Sequence, residues 1–448
     1  MTDDLLPPMT DTPAQHRDDA QRARARGDEL AALAHLIAAE ALESHTDTAH
    51  APPPPSASPA AARIALVATG YFMKNDHASA QRWYELALHL DAAQAAAWQN
   101  LAAIHEQAGR AALAGRCRER AYALQRVYVE SSGAPVRRVL LLCAGRSAGN
   151  IPFELLVPTP RNARIKYAID WAEPDEDETL PPFDLAFNAI GDADIAEPLR
   201  VRIAQFESEA KARRRPLLNA PDRVAATRRD RLPTLLQGLA DVRTAPCIRI
   251  EPGENARARI EAAGLAPPWL VRPVATHGGE GLVRCETRAE LDEALAALTG
   301  PLYVSAFRDT RDADGACRKY RIVFVDRRPW PYHLAISPHW MVHYVSAGME
   351  GNAAKLDEER RFLADPAAAL GARAIAALAA IGQRLDLDYA GVDFTLLADG
   401  SVFVFEANAT MLVHGERPGG PLAHKNVYVE RIVAAFDAMM SARIAAAP

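Results

Sequence analysis

Apolar and polar positions along this chain follow a helical period first, then the short runs and alternations of strands. From about residue 19 to 48 the chain is rich in Ala, Arg and Glu, which predicts one helix. Residues 1–18 read as disordered. "APPPPSASP" at 51–59 reads as a linker or long loop, because consecutive prolines forbid helix and favour extended polyproline geometry. After residue 135 the texture changes. "VRRVLLLCAG" is an apolar run entering a small-residue turn, the pattern of a buried parallel strand, and "FDLAFNAIGDAD" at 183–194 repeats it. A Pro-Leu-Leu-Asn strand end follows at 216–219, then a helix. Strands alternating with helices predict a Rossmann-like layer. No GxGxxG follows these strands, which argues against a dinucleotide site there.

Between these regions lies an internal repeat. An offset of 34 residues aligns Ile64 with Trp98, Val67 with Leu101, Ala68 with Ala102, Tyr71 with His105, Ala80 with Ala114 and Ala87 with Ala121. A large residue, a Leu with a small neighbour, an aromatic and two alanines at helix crossings resemble the tetratricopeptide repeat. A second reading is a pair of Ala-rich helical hairpins that match by chance. Two repeats are visible, and the helix near 30–48 supplies part of a third. A tetratricopeptide array implies a groove for a peptide or protein partner, or a surface for homodimerisation.

From about 246 the strands turn antiparallel in style. Thr287 and Glu290 form a capping box ahead of a helix with Leu291, Leu295 and Leu298, and Gly300 stops it. "LYVSAF" at 302–307 is a strand. "KYRIVFVDRRPWPYHLAI" reads as strand, turn and strand. Asp365 and Pro366 open a long Ala-rich helix. That helix leads into "GVDFTLLADGSVFVFEANATM" at 391–411, two strands around Asp399-Gly400, a two-residue type I′ hairpin signal. In that register Asp393 falls opposite Glu406, and Asn408 shares the face of Glu406. Val392, Phe394, Leu396, Phe403, Phe405 and Ala407 form the core-facing set. Like charges directly opposed destabilise a hairpin, and a hard cation reverses the effect. Two readings stand for this stretch: a Mg²⁺–nucleotide site, or a wet sheet end where both acids meet solvent.

Composition narrows the class of protein. Of 448 residues, 49% are apolar and 24% charged, as in an ordinary soluble globular chain large enough for several cores. Acids outnumber bases 57 to 51, a net charge of −6, so neither nucleic acid nor a membrane surface is an expected partner. The run "KARRRP" at 211–216 reads as a solvated helix end. The five cysteines, Cys117, Cys143, Cys247, Cys285 and Cys317, are scattered and never form CxxC, which argues against a disulfide framework or a zinc site. With an acidic, proline-rich start and no apolar run near the roughly 20 residues of a membrane span, a cytoplasmic location is expected.

A second constellation is "LVRPVATHGGEGLVRC" at 270–285, where Gly278, Gly279 and Gly281 lie between strand-like segments. Glycine lets backbone N–H groups approach a phosphate, and Arg272 precedes the loop. Alone, this is also an ordinary glycine hairpin. The full order is basic-Pro, Gly-rich loop, capped helix, "YVSAF" strand, Lys-Tyr-Arg strand, helix and Gly-x-Asp-Phe…Glu-x-Asn. It resembles the ATP-grasp superfamily, which includes D-alanine–D-alanine ligase, glutathione synthetase and ribosomal-protein glutamate ligases. The resemblance covers about residues 136–440.

The resemblance implies a multidomain α and α+β protein. Residues 1–60 would be a partly disordered helix and linker, and 61–130 tetratricopeptide-like repeats. A Rossmann-like pre-ATP-grasp domain at 136–245 and an ATP-grasp domain with antiparallel sheets at 246–445 would follow. It implies ATP with Mg²⁺ (or Mn²⁺) held by Asp393, Glu406 and Asn408. Arg272, in place of the usual lysine, would contact phosphates, with Gly278, Gly279 and Gly281 as lid beside His277. Ser305, Ala306 and Phe307 would meet adenine, and Asp309 the ribose. Arg321 would steady an acyl phosphate. Asn219 and Arg231 match a strand-end Asn and a phosphate-binding Lys loosely. Glu280 in the loop departs from the family's Ser/Gly-rich composition, since a glutamate beside triphosphate is repulsive unless it faces away or meets Mg²⁺.

The implied activity is carboxylate–amine ligation through an acyl phosphate, on a peptide or small amino-acid-like substrate. Phosphotransfer to a hydroxyl, or a repeat-based scaffold that binds nucleotide without turnover, are the alternatives. His333, His339 and His343, clustered with Trp340 and Tyr344, are candidates for substrate recognition or a general base, as are His414 and Lys425. Any one of these histidines also reads as part of a satisfied aromatic core.

Overall fold

Helix start and stop signals organise the first part of the chain. A computed structural model describes residues 5–46, 58–145 and 149–447, in two compact units, Met1–Val127 and Tyr128–Pro448. Two helices form where one is expected over 19–48: α1 (Pro13–Ala25) and α2 (Glu29–Thr46). Thr12 and Gln15 close a capping box ahead of α1, which therefore starts inside the segment read as disordered. Gly27, at φ +76°, interrupts the chain, and the Asp28 carboxylate accepts from the Ala31 N–H at 3.0 Å to start the second helix. The proline run at 51–57 lies outside the described residues.

Helices α3 (Pro59–Phe72), α4 (His77–Leu90), α5 (Ala95–Gln107) and α6 (Ala111–Leu124) complete this unit. Residues matched by the 34-residue offset occupy equivalent buried places. Ala80 with Ala114, Ala87 with Ala121, and Ile64 with Trp98 are all inaccessible or nearly so. Alanine at these places lets helices pack at short interaxial distance. Each fully buried Ile or Leu contributes roughly 1.5–3 kcal/mol of transfer free energy.

The second unit begins with a sheet of β1 (Val127–Glu130), β2 (Arg137–Cys143), β3 (Asn162–Ala168), β4 (Leu185–Asn188) and β5 (Leu217–Leu218), in spatial order β1-β3-β2-β4-β5. Strands β2, β3, β4 and β5 pair in parallel. Val139, Leu140, Leu141 and Leu142 are buried without remainder, as the unbroken apolar run predicts for a strand covered on both faces. Helices α7 (Ala193–Ala212), α8 (Pro221–Ala226) and α9 (Leu232–Leu235) follow, then β6 (Val242–Thr244), β7 (Cys247–Ile250), α10 (Ala256–Ala262), β8 (Trp269–Pro273), β9 (Val283–Cys285), α11 (Arg288–Ala297) and β10 (Leu302–Ala306). A four-stranded antiparallel sheet of order β7-β10-β8-β9 forms from these.

The remaining elements are β11 (Cys317–Val325), β12 (Arg328–Ser337), α12 (Ala353–Ala364), α13 (Pro366–Leu370), α14 (Ala372–Leu385), β13 (Tyr389–Leu396), β14 (Val402–Asn408) and α15 (Asn426–Ala445). The helix expected from Pro366 breaks at Gly371, at φ +82°. A five-stranded sheet of order β12-β11-β13-β14-β6 carries the hairpin 391–411, with β6 joining parallel to β14. Gly391 is required there by space: a Cβ would sit 2.3 Å from Met411 Cγ, where the chain after β14 folds back.

Candidate functional site

Three charged residues stand in a row across three neighbouring strands. Asp393 on β13 is opposed by Arg321 of β11 on one side and by Glu406 of β14 on the other. The opposed carboxylates match the sequence reading, but the turn that produces them does not. Asp399 has no positive φ, so no type I′ turn forms. Its carboxylate accepts from Ser401 N–H at 2.9 Å and Ser401 Oγ–H at 2.6 Å, and Gly400 alone is left-handed at φ +77°. The loop therefore closes from Leu397 to Ser401 around three residues, with Gly400 N–H donating to the Leu397 carbonyl at 2.8 Å. That shifts the pairing of Phe394 to Val404. A bulge between Asp393 and Phe394 shifts it back, and the two irregularities cancel at Asp393–Glu406. The cost falls on the core set. Phe403 and Phe405 turn to the cavity face, where Phe405 is 39% exposed, and Val402 and Val404 take the core positions opposite Leu396 and Phe394.

Cations close the row at both ends. Arg321 donates through Nε and Nη2 to the two oxygens of Asp393 at 2.6 and 2.8 Å, and Lys319 Nζ lies 3.2 Å from Asp393 Oδ2. Arg229 pairs with Glu406. Asp393 is only 1% exposed, and burial opposes its ionisation. Arg321 and then Lys319 outweigh burial and hold its carboxyl well below the usual range. Burial also opposes ionisation of Glu406, and Arg229 reverses the balance despite repulsion from Asp393. Arg272 is pushed down to about 10 by burial and by the nearby Arg229.

The row lines a cavity of about 570 Å³ between the two C-terminal sheets, within the size range of small-molecule sites. From the Gly-rich loop, Arg272, His277, Gly278 and Gly279 line it, and from the end of β10, Ser305, Ala306 and Phe307. Arg321, Asp393, Glu406 and Asn408 complete the predicted residues brought together. Arg272 Nη2 holds the loop by donating to the Thr276 carbonyl and to Thr276 Oγ1. Gly278, Gly279 and Gly281 all have positive φ, which explains the three glycines.

Three expected residues stand elsewhere. Gly281 packs on Pro273 outside the cavity lining, where a Cβ would meet Pro273 Cδ at 2.9 Å. Asp309 faces Arg311 on the surface, and its neighbours Arg308 and Thr310 line the cavity instead. Arg231 pairs with Glu197 at 2.8 Å, and Arg229 holds the inward position. In "TRRDRL" the residue types alone do not say which arginine faces in, because the segment enters a short irregular helix. Lys319 was also missed. It lies two residues before Arg321 on one strand, so period-2 alternation was the signal available.

The candidates of lesser weight divide similarly. His343 and Trp340 line the cavity, and Trp340 meets Phe307 edge-on at 5.6 Å. His333 is buried and stacked on Tyr344 at 4.7 Å. Its burial, and then the Arg321 charge, keep it neutral far below the usual imidazole range. His339 is not in the lining. His414 bonds Tyr332 Oη at 3.0 Å. Lys425 is inaccessible, donates to Glu416 at 2.6 Å and lies 4.2 Å from the Tyr344 ring centre. Asn219 is a brace. Its side-chain amide donates to the Tyr389 carbonyl and its carbonyl accepts from Tyr389 N–H, both at 2.9 Å, joining β5 to β13.

Among the described residues no three His, Cys, Asp or Glu side chains converge as a metal cluster. The site offers two carboxylates and the Asn408 amide. Mg²⁺ is usually held by one or two carboxylates together with substrate phosphates, so this donor set fits such an ion once phosphate oxygens join it. Five cations line the cavity, Arg229, Arg272, Arg308, Lys319 and Arg321, and they exceed the two carboxylates by three charges, a balance that suits a polyanion.

Solved structures align with about two thirds of the chain. D-alanine–D-alanine ligase from Bacillus anthracis aligns over 69% of this chain and 97% of its own, at 13% identity and a TM-score of 0.43. The chain is similar to ATP-grasp ligases. VanG D-Ala:D-Ser ligase from Enterococcus faecalis aligns over 68% of this chain and 100% of its own, at 13% identity and a TM-score of 0.38. A RimK domain ATP-grasp protein from Sphaerobacter thermophilus aligns over 67% and 98%, at 18% identity and a TM-score of 0.40. No protein-family model and no curated protein matches the chain.

Proposed function

We propose that this protein is an ATP-dependent carboxylate–amine ligase that works through an acyl phosphate. The observation that carries the reading is the Asp393–Glu406 pair, ringed by four of the five cations at the wall of a cavity between two sheets. Nucleobase and ribose would lie against Ser305, Ala306, Phe307 and the outward-turned Phe403 and Phe405. The triphosphate would lie toward Arg229, Arg272, Lys319 and Arg321.

Asp393, Glu406 and Asn408 would hold Mg²⁺, whose chemistry when bound is to offset charge on the phosphate oxygens. The chain's own contribution is positional and electrostatic. Arg272 and the loop at Gly278 and Gly279 orient the phosphates, and Arg321 stabilises charge spreading over the transferred group. An acid oxygen bonds to the γ-phosphorus as the bond to ADP breaks. An amine then attacks the acyl carbon, and phosphate leaves with the electron pair of the C–O bond. No side-chain nucleophile is needed, and His343, which lines the cavity, would take the amine proton.

We further propose that helices α3 to α6 act as a tetratricopeptide-like array for a peptide, a partner protein or a second copy of the chain, and that 136–245 and 246–445 act as separate functional domains. The deciding experiment measures ADP release over panels of acids and amines, with Glu406→Ala as control. Turnover only when both substrates are present supports ligation. A stable phosphorylated alcohol overturns it in favour of phosphotransfer, and nucleotide binding without turnover in favour of a scaffold.

A further inference from the structure

Lys319 occupies a place that the proposed reaction does not by itself explain. It shares a face of β11 with Arg321, and both reach the same carboxylate. Arg321 holds Asp393 by a two-pronged contact at 2.6 and 2.8 Å, and Lys319 adds a single contact to Oδ2 at 3.2 Å. Both oxygens of Asp393 are thus covered by cations, and Oε2 of Glu406 is covered by Arg229. A divalent ion arriving alone would meet carboxylates already neutralised and four positive side chains around them.

The two cations on Asp393 are not equally able to leave. An arginine fork matched to a carboxylate is fixed by two hydrogen bonds and its planar geometry. A lysine ammonium is a compact charge on a flexible four-carbon stem and carries its three donors to any nearby anion. Lys319 lines the cavity and is 18% exposed at its side chain, so a path to bound phosphate is open.

Resting on the nucleotide-site reading, we propose that Lys319 is a displaceable counter-ion that makes metal binding depend on nucleotide. In the nucleotide-free protein it holds Asp393 Oδ2. When a nucleoside di- or triphosphate enters, it transfers to a phosphate oxygen and leaves Oδ2 to the metal. No bond is made or broken, and one ion pair exchanges for another. Metal and nucleotide then bind with positive coupling, each raising the affinity for the other by the same factor.

The test uses Mn²⁺ as the probe in the full chain, with free Mn²⁺ followed by electron paramagnetic resonance and ADP binding by calorimetry. Lys319→Met is expected to tighten Mn²⁺ binding without nucleotide by about tenfold, the order expected for removing one partly exposed charge at a few ångströms. The same variant is expected to weaken metal-free ADP binding and to shrink the coupling between the two ligands. Lys319→Arg keeps the charge and is expected to leave Mn²⁺ binding weak, which separates charge from side-chain volume. Thermal melting of each variant establishes that it is folded. Unchanged Mn²⁺ affinity and coupling in folded Lys319→Met, alongside wild-type ADP binding with metal, overturns the role of Lys319 alone. Absence of any ADP binding by the wild type, with or without metal, overturns the nucleotide-site reading beneath it.

Discussion

His277 Nε2 lies 2.8 Å from Asp192 Oδ2, joining the Gly-rich loop to the N-terminus of α7. The other oxygen of Asp192 caps that helix by accepting from the N–H groups of Asp194 and Ile195 at 2.8 and 3.1 Å. One carboxylate therefore fixes a helix end and tethers the loop that borders the cavity. Burial opposes its ionisation, but the His277 contact and the helix N–H groups hold its pKa below the ordinary value.

His277→Ala should release the loop without touching the cap. Amide exchange across 275–282 is expected to accelerate, and nucleotide affinity to fall by roughly three- to tenfold, about the net worth of one ordinary hydrogen bond. Unchanged exchange rates in that segment would show that the tether does not restrain the loop.

Replacing Asp393 should act on both stability and chemistry. Asp393→Ala removes the carboxylate that neutralises Arg321 and Lys319, so the fold is expected to lose roughly 3–5 kcal/mol, the range for breaking a buried pair. ADP release should fall by at least about 100-fold, the scale of one electrostatic catalytic group. Denaturant melts and single-turnover assays on the same preparation separate the two. A fully active variant would remove Asp393 from the site.

Arg229 and Arg231 differ by two positions and should differ sharply in effect. Arg229→Ala is expected to weaken nucleotide binding by about tenfold or more, since it takes a cation from the cavity wall. Arg231→Ala removes only the half-exposed pair with Glu197, worth at most about 1 kcal/mol, and should leave binding unchanged. Equal effects in calorimetry would contradict the assignment.

The helical unit carries a built-in acid sensitivity. His16 and His35 face each other Nδ1 to Nδ1 at 2.9 Å beside Trp83, so only one proton fits between them. Burial, and then the neighbouring His16, depress His35 to about 4, and burial lowers His16 as well. A lowered histidine pKa means that the unfolded chain takes up the proton first. Stability is therefore complete above the unfolded value near 6.5 and declines as pH falls from there toward 4. Thermal melts of the full chain should show the helical transition weakening by on the order of 1–3 kcal/mol over that window. His35→Phe should flatten the dependence, and an equally steep decline in that variant would reject the pair as its source.

Much of the architecture was legible in local patterns, and the reasons are visible in particular residues. The unbroken run at 139–142 predicted a strand buried on both faces, because burial on both sides leaves no polar position. The alanines of the 34-residue offset marked helix contacts, because close packing admits only small side chains there. Asp399-Gly400 marked a reversal of the chain, and the pairing of Asp393 with Glu406 followed from counting outward from it.

That count succeeded through two compensating irregularities, and here the sequence alone ran out. A left-handed glycine and a one-residue bulge cost little locally, so side-chain identities do not reveal them. Packing across the sheet decides them, and it turned Phe403 and Phe405 toward the cavity. The choice of Arg229 over Arg231, and the meeting of Lys319 with Asp393, were likewise decided by long-range contacts. Sequence by itself determined which residue types and periodicities each segment carries, because these are set by backbone geometry within a few residues. Only the tertiary structure decided which charges meet, because strands and loops distant along the chain must first dock before a side chain has a partner.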